Sequence, residues 1–539
     1  MFPQTGAAAP ASRFSVEIRR FPWIKRLAVD YAFDHARVAE FFAGNPADPA
    51  AWRDAISRAQ RHPRDRDAIA DIVVAQQRRR GAPPDALAAA ARLRDPSSVA
   101  VVTGQQAGLF GGPLFTLLKA VSAVRLAERT SADYRVPTVA VFWIDAEDHD
   151  WDEVQTCGVL NTELDLVRLA LCQLPGAGDG PVAHVRLDSS IEDAVARLAA
   201  TLPATEFTPG LLDALRAAYA PGAGMVEAFG RWLETWLGPR GLVVFDSSDP
   251  AAKPLVSGLF ARELQQAGET SRLAAAAGTR LAALGYHAQV EPHEDQAALF
   301  HIDGIRSSIR AADAASMLPH VTAQPAAFSP SVLLRPLVQD TLFPTVCYVA
   351  GPNELAYLAQ LRGVYEAFGV PMPLMQQRAS ATLLDSNAMR MLVRNDLPLE
   401  SLRAQDESAL NTLLKAQMPA AVDSSLHEAN RTLAERMDTL ARAAAQVDAT
   451  LEAAAKSTLG RMQDDLKKLE GKIVQAAKRK DETLRRQFRH AQAQAFPGGH
   501  PQEREIGFVY FLNKYGAGLV DRLSEELPLD QGQHWVVTI

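Results

Sequence analysis

Three cysteines in 539 residues, Cys157, Cys172 and Cys347, are too few and too scattered for a disulfide framework, and none belongs to a CxxC pair. No structural zinc site is therefore expected, and a reducing, cytoplasmic setting is. Charge of one sign is also lacking. The net charge of −7 gives no global field for nucleic acid. The uncharged run from Val99 to Leu118, VAVVTGQQAGLFGGPLFTLL, carries Gln105, Gln106 and the helix-breaking Gly111-Gly112-Pro113, so it fails as a membrane span. No membrane partner follows. The Ala/Pro-rich start has no continuous apolar core of a secretory signal and reads as a flexible lead-in that orders near Phe14.

What is present is ordinary globular composition, 47% hydrophobic and 22% charged, in a chain long enough for more than one domain. Val99 to Val102 reads as a short buried strand, Thr103 to Pro113 as a loop, and Leu114 to Arg129 as a helix with Leu114, Leu117, Leu118, Val121 and Val124 inward. Val136 to Ile144, Gly241 to Phe245 and Thr345 to Ala350 are further strand candidates, each followed by a polar turn. This repetition predicts an open α/β domain with a parallel sheet. Ser189 to Thr201 and Leu211 to Leu237 read as helical, and Tyr286 to about Pro325 as an insertion of short strands.

The manner changes after Glu400. Leu426, Leu433, Leu440 and Val447 recur every seven residues, with Asn430, Met437, Ala444 and Leu451 as a companion series, which is the period of wound helices. Leu459, Met462, Leu466, Leu469, Ile473 and Ala476 continue at three-and-four spacing. A break near Asp448 to Thr450 makes an antiparallel hairpin; no break makes one long helix. Arg461 to Arg489 is locally basic, which fits the outer face of a long helix better than a nucleic-acid surface, because stacking aromatics are nearly absent. QGQHWVVTI predicts a terminal strand. The expected domains are 14–400, with inserts at about 174–240 and 284–325, then a helical unit at 401–495, then an element at 496–539 that returns to the core.

Two segments carry chemistry. Thr103, Gly104, Gln105, Gln106, Gly108, Gly111 and Gly112 follow a strand and precede a helix, where glycines let backbone amides approach an anion and the helix start favours phosphate or carboxylate. Lys119, inside that helix, is placed to reach back to a phosphate. The pattern is neither a dinucleotide fingerprint nor a phosphate loop ending in Lys-Ser or Lys-Thr, and a turn needed only for packing is the alternative. The run from Asp145 to Glu153 sets carboxylates around one histidine. His149 is the acid/base candidate, with Asp148, Asp150 and Glu153 as contacts for an amine or Mg²⁺, against a simple capping role. Gly351, Asn353 and Glu354 follow another strand and are candidates for a cleft at its end.

TGQQAGLFGGPLFTLLKA, VFWIDAEDHDWDEV, LRPLVQDTLFPTVCYVAGPNELAYLAQL and the late FLNKYG, in that order, resemble the cysteine ligase family of bacillithiol biosynthesis, the cysteine-adding enzymes. The resemblance runs from about Phe14 to Ile539. It implies a Rossmann-like core with connecting inserts, a long antiparallel coiled coil, a homodimer through it, and amide formation between L-cysteine and the amine of glucosaminyl-malate. A carboxylate is a poor acyl donor, so ATP with Mg²⁺ is the expected energy source. A nucleotide-binding hydrolase or nucleotidyltransferase, or a non-catalytic coiled-coil scaffold, are the alternatives.

Overall fold

Val99, Ala100, Val101 and Val102 are each fully buried, as a strand covered on both faces requires. The computed structural model describes residues 13–416, 420–480 and 482–539, so the expected flexible start, residues 1–12, lies outside the described residues. Five strands form a wholly parallel sheet: β1 (Val99–Gln105), β2 (Thr138–Ile144), β3 (Val243–Asp246), β4 (Thr345–Ala350) and β5 (Leu374–Gln377), in spatial order β5-β4-β1-β2-β3. The chain runs outward from β1 through β2 to β3, then returns to the other side of β1 for β4 and β5. The order therefore reverses between β1 and β4, and the carboxyl ends of those two strands open a crevice at that switch point.

Helix α1 (Leu114–Tyr134) follows β1 and buries the five expected inward residues, Leu114 to Val124. The helix expected over Leu211 to Leu237 is two, Thr208–Ala218 and Met225–Leu237. Pro221 and Gly222, the latter at φ +87°, break it, since the next turn cannot continue through either. The later insertion holds an antiparallel hairpin, Gln296–Asp303 with Ile305–Arg310, completed by Phe328–Pro330. Gln533–Thr538 is the expected terminal strand and pairs antiparallel with Arg13–Glu17, Phe14 opposite Val536.

The chain divides into two compact units. One takes in Ser12–Thr382 and Pro501–Val537, the other Leu383–His500. The boundary thus falls at Thr382 rather than at 400. Its physical reason lies inside the helical unit, where the Asp385 carboxylate accepts from His490 and Gln494, each at 2.7 Å, tying the Ser386–Arg394 helix to Glu482–Ala495.

In the helical unit α2 (Ala420–Ala445) and α3 (Leu451–Lys480) form an antiparallel hairpin whose turn is held by Asp448, accepting from the amide and hydroxyl of Thr450 at 2.8 Å. The expected seven-residue seam holds at Leu426 and Leu433, then slips. Leu440 is 55% exposed and Val447 83%, while Ala441 is 4% exposed in their place. A straight helix of 3.6 residues per turn drifts from a strict heptad, and the inner row passes to Met437, Ala441 and Ala444. No helix of the described residues is long and apolar enough to cross a membrane.

Candidate functional site

The crevice at the ends of β1, β2 and β4 holds a cleft of about 340 Å³, lined among others by Gly104, Gln105, Gln106, Lys119, Gly351, Asn353 and Glu354. The fold thus brings two distant candidate segments to one place. Lys119 Nζ donates to Gly104 O at 2.8 Å, lies 3.3 Å from Gln105 Oε1 and pairs with Glu354 Oε2 at 2.6 Å. An ammonium has three protons, and all three are used. Glu354 also accepts from Gly351 N at 2.5 Å and from the Tyr348 hydroxyl at 3.0 Å. Burial lowers the Lys119 pKa, with Glu354 opposing. Lys119 is therefore a bolt across the switch point, not the free phosphate ligand expected from its position.

The glycine turn divides in role. Thr103 is buried and donates its hydroxyl to Val349 O at 2.9 Å, stitching β1 to β4. Gly111 is buried away from the cleft, its amide 3.0 Å from the Tyr219 hydroxyl and its φ at +95°. A Cβ there would meet Phe508 Cε1 at 2.3 Å and Trp232 Cδ1 at 2.6 Å. Gly112 N donates to Leu109 O, and the first amide of α1, Leu114 N, to Ile506 O at 2.8 Å. These amides serve the fold, so the anion cradle expected at Gly111 and Gly112 is not formed in this structure. Gly108 and Gly112 instead line a second recess of about 320 Å³ that shares Gln105, Gln106, Phe115, Glu153 and Arg504 with the cleft.

The acidic segment leaves β2 into the same cleft. Asp145, 8% exposed, pairs with Arg335; burial pushes its carboxyl up to about 6 even though Arg335 pulls it down. Asp148 accepts from Gln106 Nε2 at 2.7 Å. Burial works to raise its pKa, but Gln106, Arg335 and the amides of His149 and Asp150 outweigh it, and the group is held below the usual range. Glu153 is raised, chiefly by burial. Glu147 faces away from these, buried against Lys253, which also donates to Phe328 O at 3.2 Å.

His149 and Asp150 are not brought into the cleft lining. The His149 side chain is 57% exposed, with Nδ1 3.4 Å from Asp148 Oδ1 and 3.5 Å from Arg306 Nη1. Asp150 caps the short helix Trp151–Val154 by accepting from Glu153 N at 3.2 Å. Among the described residues no group of three or more His, Cys, Asp or Glu is placed to hold a metal ion.

Sequence reasoning missed the arginines. Arg335 opens the helix Arg335–Leu342, and Arg378 directly follows β5. Arg378 makes a two-pronged pair with Glu503, at 2.9 and 2.6 Å, both side chains nearly dry. Glu503 in turn accepts from Ser380 Oγ at 3.0 Å, and that hydroxyl meets His534 Nδ1 at 2.7 Å. Only the strand-end position of Arg378 was a usable signal; Glu503 and Arg504 lie more than a hundred residues further along the chain.

A parallel sheet with a polar cleft at its switch point defines a Rossmann-like α/β protein, here carrying a helical hairpin. Residues 15–379 match the family model described as the N-terminal Rossmann-like domain of bacillithiol biosynthesis BshC, and 381–539 match its C-terminal coiled-coil domain. A relative from Salinibacter ruber, named "Putative cysteine ligase BshC", is 35% identical over 528 residues, covering 95% of this chain and 96% of its own. One of the same name from Koribacter versatilis is 33% identical over 525 residues, covering 95% and 97%. The chain belongs to the BshC family of bacillithiol biosynthesis.

Proposed function

We propose that the chain joins the carboxyl group of L-cysteine to the amine of glucosaminyl-malate, with ATP supplying the activation. The observation that carries this reading is the pairing of Asp148 and Glu153 in one cleft: a carboxylate kept ionised beside one shifted upward. Two acids with separated pKa values are what an amine nucleophile needs, one to hold the ammonium and one to receive its proton.

In this reading cysteine is activated as an acyl-adenylate or acyl-phosphate, with release of pyrophosphate or ADP. The sugar amine attacks the acyl carbon, AMP or phosphate leaves, and Glu153 takes the amine proton. Asp148 orients the amine. Mg²⁺ commonly rests on one or two carboxylates and the phosphates of its nucleotide, and Asp148 is the carboxylate that would hold it. The Lys119–Glu354 bolt keeps the ends of β1 and β4 in register so that the acids face the reacting atoms.

The chain is also proposed to be a homodimer through its helical hairpin. Leu440, Val447, Leu451, Met462 and Leu469 expose apolar surface on that hairpin, more than a solvated helix pair requires.

A mass-spectrometric time course with L-cysteine, glucosaminyl-malate, Mg²⁺ and ATP, each omitted in turn, tests the reading. Bacillithiol formed in step with AMP or ADP supports it and names the intermediate. Nucleotide turnover independent of the acceptor refutes ligation.

A further inference from the structure

Four cations line the cleft: Lys119, Arg335, Arg378 and Arg504. Lys119 is paired with Glu354, Arg335 with Asp145, and Arg378 with Glu503. Arg504 is different. Among the described residues its guanidinium makes no hydrogen bond or ion pair, and it sits over the Phe115 ring, 5.8 Å from the centroid, with Arg378 over the same ring at 5.6 Å. Its charged neighbours are Arg378, Glu503 and Glu354. Lys119, Arg378 and Arg504 neighbour one another and two carboxylates, Glu354 and Glu503, a cluster that leaves one positive charge in surplus.

A second cluster in the cleft has the reverse imbalance: Asp145 and Asp148 are set against Arg335, with Arg306 beyond it, and Glu153 lies beside those two carboxylates. The cleft thus holds two clusters of opposite surplus charge, and a ligand that satisfies both must carry a cation at one end and an anion at the other. In an α-amino acid both charges sit on one carbon, so it presents them to the same place. An aminosugar linked to an acid separates them by the sugar ring. Arg504 also borders the second recess, which is roomy and whose own charges, Arg168 and Glu505, neutralise each other at 2.5 Å.

We propose that Arg504 is the specificity residue for the acceptor, binding a carboxylate of its malate portion at the passage between cleft and recess while the sugar amine faces Asp148 and Glu153. This rests on the ligase reading above. The guanidinium fork matches a carboxylate two-pronged, and the Phe115 ring beneath it, 5.8 Å away, keeps the charge near the passage.

The test is titration calorimetry on the full chain with four ligands: glucosaminyl-malate, methyl glucosaminide, L-cysteine and ATP. Arg504→Gln should weaken glucosaminyl-malate by about 10- to 100-fold, the loss of a charge-assisted pair, and leave the other three within about twofold. Arg504→Lys should recover part of the loss. A loss shared equally with methyl glucosaminide overturns the proposal, and a loss confined to ATP or L-cysteine assigns the arginine to that ligand instead. Wild-type chain that binds glucosaminyl-malate while Arg504→Gln binds it equally well refutes the inference alone. Wild-type chain that binds no glucosaminyl-malate refutes the ligase reading and the inference with it. Arg504 is partly solvent-exposed, so thermal melting of the variants should match wild type.

Discussion

Lys119 and Glu354, 235 positions apart in sequence, meet at 2.6 Å and close the gap where the sheet reverses its strand order. Lys119→Met would leave Glu354 without its cation in a largely buried place. Urea unfolding should show a loss of about 2–3 kcal/mol, below the range for a fully dry pair because Glu354 is 21% exposed. Lys119→Met with Glu354→Gln should lose less than Lys119→Met alone. If the double variant is the weaker, the pair is not a bolt.

The acidic segment gives a sharper contrast. Asp148→Asn and Glu153→Gln should each cut kcat/KM for amide formation by about a hundredfold or more, whereas His149→Ala should cost less than about fivefold. His149 is exposed and outside the lining, so a large loss on its removal would place the proton acceptor there instead.

Stability should fall in acid through Glu503. Burial alone would raise its carboxyl, but Arg378 outweighs that and holds it at about 2, below the ordinary value of 4.5. A depressed folded pKa gives stability that is present above the unfolded value and is lost as pH falls from 4.5 towards 2. The span corresponds to about 3 kcal/mol. Glu503→Gln should flatten the stability–pH curve in that window; an unchanged slope would mean the pair is not formed in solution.

Gly111→Ala should destabilise the fold by about 2–3 kcal/mol, because its φ is +95° and the added methyl would collide with Phe508 and Trp232. Activity per folded molecule should stay near wild type, since no ligand is expected at that glycine. Loss of activity without loss of stability would return the glycine turn to the site.

Leu440→Asp with Val447→Asp should shift the chain from dimer to monomer in light scattering while leaving the helical circular dichroism signal at the wild-type level, because both side chains are mostly exposed in the single chain. A monomeric wild type would remove the proposed seam.

The sheet was legible because parallel strands buried on both faces read as apolar runs, and Thr345–Ala350 matches its predicted bounds residue for residue. The sequence allowed both a break near Asp448 to Thr450 and one unbroken helix; the break forms, where Asp448 accepts from the amide and hydroxyl of Thr450. The seam register was not legible, since a small residue such as Ala441 gives no stronger signal than its neighbours yet takes the inner place. At the site, strand-end positions drew attention to Gln105, Gln106, Lys119 and Glu354, which the fold brings to one cleft. Glycine alone misled: Gly111 and Gly112 look like an anion cradle, but their amides are spent on Tyr219 and Leu109. Arg378, Glu503 and Arg504 meet only through tertiary folding, and no local pattern announces such a meeting.

The return of residues 501–537 to the first unit has a consequence for how the chain is made. Synthesis runs from the amino terminus, and compact regions generally fold as they emerge. The five strands are complete by Gln377, yet Arg378 has no counter-charge and the cleft no Arg504 until the whole helical hairpin has been synthesised. A nascent chain that ends before Pro501 therefore lacks both Glu503 and Arg504, so the charge pattern of the cleft is completed only after the helical hairpin has been synthesised.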